Sequence, residues 1–244
     1  MKHCTIILFF LISLNSFSQD STLINSVINQ LNLDKSKIKN DLIISKALPN
    51  NAKEIIIVIP EIVDEEEHYF ELNSYILIVN NETGKIINTY FESSTTNNWV
   101  SDAVVLTKIT IDTAPYKISE KNRAFGIRVH YYGMSKANPY SNTTISLFIK
   151  SKNTLKRILK NYDVMDYGGE WDTDCIGEFI DHKKTLIITA SKTNSYYNIL
   201  AKNKITKTKN YIDKNNDCDS MEKVTTMKTV LKYNGEEYIE KTLQ

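Results

Sequence analysis

Phe125-Gly126-Ile127-Arg128-Val129-His130-Tyr131 alternates apolar and polar side chains with a period of two. Phe125, Ile127, Val129 and Tyr131 fall on one side, and Arg128, His130 and Tyr132 on the other, as in a strand with one covered face. Before it, Val104 to Ile111 alternates in the same way. Glu54-Ile55-Ile56-Ile57-Val58-Ile59 is continuously apolar and β-branched, which predicts a central strand covered on both faces, ended by Pro60.

Turn chemistry supports the same reading. Tyr75 to Val79 and Lys85 to Phe91 read as strands joined by the loop Asn80 to Gly84. Met227 to Tyr233 and Glu237 to Lys241 read as a closing hairpin around Asn234-Gly235. Thr144 to Lys150, Leu155 to Leu159, Thr185 to Ala190, Tyr196 to Ala201 and Ile205 to Tyr211 have strand composition. One segment breaks the pattern. Asp20 to Leu33 carries Leu23, Ile24, Val27, Ile28 and Leu31 at helical spacing, with Asp20 or Ser21 available as N-cap. The expectation is all-β: an antiparallel sandwich or barrel-like sheets with one short N-terminal helix. A single domain over residues 19–244 is the simpler organisation. A division near Asn161 is the alternative, because the sequence there reads as a Gly-rich, acidic loop.

The first eighteen residues read as a secretory signal peptide. Lys2 and His3 precede the apolar run Thr5 to Leu14, and Ser16 and Ser18 place small residues at a cleavage site before Gln19. The run is shorter than the about 20 apolar residues a membrane-spanning helix needs. The expected location is therefore periplasmic or secreted. Basic residues include only three arginines, Arg123, Arg128 and Arg157, which with the abundant Asn and Ile reads as AT-rich coding in a bacterium. The formal net charge of +1 gives no footprint for nucleic acid or anionic lipid.

Cys4 precedes the apolar run and is not placed to carry a lipid. Cys175 and Cys218 remain, and an exported chain with two cysteines is expected to pair them. Such a disulfide would draw together two acidic segments, one with Asp172 and Asp174, the other with Asp217 and Asp219. Like charges held close repel, so the carboxylates either splay into solvent or share a hard cation such as calcium. The stretch from Asp213 matches a calcium loop at Asp213, Asn215 and Asp217. It fails at Cys218, where the turn wants glycine, and at Val224, where the last ligand should be a carboxylate. An EF-hand is excluded. A solvated acidic loop is the plainer reading, and a looser calcium site at Asp172, Asp174, Asp217 and Asp219 the alternative.

No catalytic residue is assigned. There is no GxSxG, HExxH, CxxC or glycine-rich phosphate loop, and His68, His130 and His182 lie far apart. Arg128 and His130, with Asp102 and Asp112 nearby, form either an anion-binding face or an ordinary cross-strand charge ladder. Aromatic residues in polar loops are the more promising feature: Trp99, Tyr131, Tyr132, Tyr140, Tyr162, Tyr167 and Trp171. Amphipathic rings on a rigid scaffold suit protein or glycan recognition, and Trp99, Tyr140 and Trp171 are the expected contacts. The expectation is a non-enzymatic binding protein of the cell envelope, its partner a protein or glycan. The alternatives are a carboxylate-based hydrolase of envelope polymers, for which no linear motif is needed, and a structural subunit of an envelope complex.

Overall fold

The computed structural model describes residues 21–241. The expected signal peptide, Cys4 and Asp20 lie outside the described residues. Within them the fold is all-β with little helix, as the alternation predicts. Residues 21–30 form α1. Thirteen strands follow in one sheet: β1 (Ile44–Leu48), β2 (Asn51–Glu66), β3 (Tyr69–Asn80), β4 (Ile86–Glu92), β5 (Val100–Ser101), β6 (Val104–Lys117), β7 (Arg123–Gly133), β8 (Tyr140–Ser151), β9 (Thr154–Trp171), β10 (Gly177–Thr193), β11 (Tyr196–Ile212), β12 (Cys218–Tyr233) and β13 (Tyr238–Lys241). A one-turn helix, α2 (Ser94–Asn97), precedes β5. No helix among the described residues is long and apolar enough to cross a membrane.

Ladders between consecutive strands are antiparallel. β4 meets β9 through one parallel bridge, Thr89 to Thr154. The sheet folds over itself and encloses two cores. The first lies between β2–β3 and β6–β8, where Ile56, Val58, Ile76 and Ile78 meet Phe125, Ile127, Val129 and Phe148. The other side chains of β2, Ile55, Ile57 and Ile59, pack with Leu77 and Val79 against Val27 and Ile28 of α1. The continuous apolar run is thus buried on both faces, each fully covered isoleucine contributing about 1.5–3 kcal/mol. Gln30 ties α1 to the β3–β4 turn: its amide donates to the Gly84 carbonyl at 2.7 Å. That turn closes on Gly84, whose φ of +70° suits glycine.

The second core has a different origin. β9 and β10 pair only from Met165 to Trp171 and from Gly177 to Lys183. Below that they part, and Ile145, Leu147, Val164, Ile199 and Leu231 fill the wedge. Asn161 lies on β9 beyond the point where they diverge. The loop expected there is instead the middle of an 18-residue strand. Asn161 takes a left-handed φ of 40°, and its amide nitrogen donates to the Asn97 carbonyl at 3.0 Å. The acidic stretches around Cys175 and Cys218 are likewise largely strand, broken by two short turns.

Candidate functional site

The tip of the β9–β10 hairpin is built from glycines set opposite rings. Three of the seven glycines, Gly168, Gly169 and Gly177, fall close together here. Across the ladder Trp171 faces Gly177, and Phe179 faces Gly169. A side chain at Gly169 would strike the Phe179 ring, and one at Gly177 would strike the Trp171 Cβ. The missing β-carbon at Gly169 lets the Phe179 ring lie down on the neighbouring strand, and the one at Gly177 lets that strand close on the Trp171 Cβ. Tyr167, two residues along the same face from Gly169, holds its ring parallel to Phe179 within 2°, with centroids 6.2 Å apart. Trp171 stands at 58° to Phe179, 6.3 Å away.

Trp171 also fixes one wall. Its indole Nε1–H donates to the Lys136 carbonyl at 2.5 Å, and its backbone N–H to the Ala137 carbonyl at 3.0 Å. Both bonds pull the loop between β7 and β8 over the end of β9. The result is an open cleft of about 710 Å³ with Tyr167, Trp171 and Phe179 at its apolar base. Tyr132, Lys136, Thr208 and Asn210 supply polar groups around it. Burial, and then the Asp181 carboxylate, push the Tyr167 phenol above its ordinary pKa, so it remains a neutral donor.

The three expected aromatic contacts separate. Trp171 lines the cleft. Trp99 does not: it is 4% exposed and belongs to the first core, its backbone N–H donating to the Asn97 Oδ1 at 2.7 Å. Its assignment as a contact is corrected, because the polar residues around it form a buried corner with Asn97, not a solvated loop. Tyr140 pairs with Gly168, so it projects from the sheet face opposite Tyr167 and stays outside the cleft. Phe179 was not among the sequence candidates, since residues around it read as an acidic loop. Its signal was the glycine spacing.

Cys175 and Cys218 form the disulfide, with Cα atoms 5.7 Å apart. It joins the turn after β9 to the first residue of β12. The acidic turns are nonetheless held by their own backbones. Asp172 accepts from the amides of Asp174 and Cys175 at 2.9 and 2.8 Å, which lowers its pKa. Asp213 accepts from the amides of Asn215 and Asp217, and Asp219 from the Tyr211 hydroxyl. Among the described residues, no group of three or more His, Cys, Asp or Glu is placed to hold a metal ion.

Arg128 and His130 serve the sheet. Arg128 forms two bonds to Asp112 Oδ2, at 2.9 and 2.6 Å. Asp112 also accepts from the Tyr116 hydroxyl and the Ala114 amide. Burial alone would raise its pKa; these partners outweigh burial and hold it low. His130 bridges Thr110 at 3.0 Å and Thr143 at 3.1 Å. Asp102 stands apart, accepting from the Val104 amide.

The chain matches no protein-family model, no curated protein and no solved structure.

Proposed function

We propose that this is an exported carbohydrate-binding protein whose cleft at the β9–β10 tip seats a glycan chain. The carrying observation is the parallel pair Tyr167 and Phe179 beside the tilted Trp171. Sugar rings present apolar C–H faces that pack on aromatic rings and hydroxyls that take hydrogen bonds. Three rings among Lys136, Thr208 and Asn210 match both needs. The rings are held by glycines and strand pairing, so little side-chain freedom is lost on binding. The disulfide supports work in an oxidising compartment outside the cytoplasm.

Glu170 and Glu178 support binding rather than hydrolysis. Glu170 and Glu178 are opposite each other across β9 and β10, on the face away from the cleft. Glu178 is held low in pKa by Lys209, whereas a general acid needs a raised value. Calorimetric titration with a panel of soluble cell-wall and plant oligosaccharides tests the reading. A saturable heat should appear for one class, and Trp171→Ala and Phe179→Ala should each weaken it by about 2 kcal/mol. No binding across neutral and acidic oligosaccharides would remove the glycan reading. Release of shorter sugars by the purified protein would replace it with hydrolysis.

A further inference from the structure

The outer side of β12 is open. β13 covers it only from Val230 to Tyr233, and among the described residues no strand lies beside residues 218–229. This is a regular edge, paired to β11 on its inner side without a register shift. Three other edges are blunted. β1 has five residues and β13 four. β6 carries Pro115 and two register shifts. Short length, proline and bulges are the usual ways of stopping a sheet from pairing with another chain. β12 has none of them along this stretch. It also exposes Met221, Val224 and Met227, at 63%, 52% and 59%.

We infer that the occupant of this edge is β12 of a second copy, paired antiparallel about a two-fold axis at Val224. Two identical strands keep their pleats in phase only if the axis passes through a residue, because outward-pointing amides alternate along each strand. An axis at Lys223 would set two ammonium groups opposite each other, which is unfavourable. An axis at Thr225 would set Glu222 against Lys228, but it would put Met227 opposite Lys223 and shorten the ladder to Met221–Thr229, because β13 covers Val230. An axis at Val224 sets Val224 against its own copy and Met221 against Met227 twice. It extends the ladder from Asp219 to Thr229, which is all the edge that the described residues leave uncovered except Cys218. The charges fit as well. Lys228 falls opposite Ser220 and diagonal to Glu222 of the copy, while Lys223 falls opposite Thr225. The lysines that would discourage a foreign strand thus find acceptors in this one. The pairing is isologous and closed, so it makes dimers, not fibres. It joins two copies of the sheet edge to edge and does not involve the rings of the cleft.

Light scattering on the disulfide-intact protein over a concentration series should give twice the chain mass. Val224→Lys should give the monomer mass and a cooperative melting curve whose midpoint no longer depends on protein concentration. In a non-reducing gel Val224→Cys should run as a covalent dimer, and Lys223→Cys and Thr225→Cys should not, since neither lies on the axis. A monomer mass at every concentration would overturn the inference and leave the edge to a different partner. So would a dimer that survives Val224→Lys, or one cross-linked through Thr225→Cys in preference.

Discussion

Gly169 lies directly under the ring of Phe179, its partner across β9 and β10, and a β-carbon there would also come within 2.6 Å of the Glu178 carbonyl oxygen. Gly168, one residue earlier, has open space, its nearest neighbour 3.9 Å from such a carbon. Two adjacent glycines therefore carry opposite expectations. Gly169→Ala should destabilise by about 1–3 kcal/mol, because backbone as well as ring must shift. Gly168→Ala should be neutral or stabilise by up to about 1 kcal/mol, since only the unfolded chain loses freedom. Urea unfolding of the two variants measures both, and equal losses would contradict the ring-on-glycine packing.

The two tryptophans should separate stability from recognition. Trp99→Ala empties part of the first core and should cost about 3–5 kcal/mol. Trp171→Ala removes a half-exposed ring and its bond to Lys136, so it should cost clearly less while abolishing most glycan binding. Chemical denaturation paired with calorimetric titration distinguishes them. Equal destabilisation would mean that Trp171 is core as well.

His130 predicts a loss of stability in mild acid. Burial first, then Lys108 and Arg128, lower its pKa below the ordinary 6.5. The folded protein therefore resists a proton that the unfolded chain accepts. The neutral-state stability is complete above pH 6.5 and declines as pH falls from there towards the folded value. Asp112 acts in a lower window. Its folded pKa lies below 3.8, so its contribution is present above that value and is lost as pH falls through the folded one. Stability measured at a series of pH values should show both declines. His130→Gln should flatten the upper one and leave the lower.

Breaking the Cys175–Cys218 bond should loosen the hairpin tips before it threatens the fold. The cysteines are 43 residues apart in sequence, for which chain entropy predicts about 4 kcal/mol. The double variant Cys175→Ala, Cys218→Ala should unfold at lower urea by at most that amount. Hydrogen exchange should rise first at residues 172–176 and 213–217. Uniform exchange across β2 and β3 as well would show that the bond holds the whole molecule.

Period-two patterning made most of the fold legible. The run from Glu54 to Ile59 announced its two covered faces because β-branched residues there admit no polar side, and Asn234-Gly235 announced the last hairpin. Residues 163–171 and 177–178 were not legible as strand. Their carboxylates and glycines resemble a loop, and what makes them extended is pairing with β8 and β10, which no local window contains. The cleft shared that difficulty. Trp171 was recognisable as an amphipathic ring in polar surroundings, and so was Trp99, which is buried by residues from distant strands. Phe179 is not legible as a site residue because its role depends on a glycine ten positions earlier on another strand.

The single bridge between β4 and β9 implies an order of assembly. Nearly every ladder in this sheet joins neighbours in the chain, and such hairpins close within microseconds. β4 reaches β9 only after a long excursion, and the side chain of Asn88 completes the junction by donating to the carbonyls of Lys152 and Thr154, at 2.7 and 3.0 Å. Closing so long a loop carries an entropic cost that local pairs avoid, which places this seam late in folding. Asn88→Ala should then leave the refolding rate nearly unchanged and speed unfolding, because a contact absent from the transition state appears only in the reverse rate. The molecule would come apart along this seam first, into two halves that each keep their hairpins.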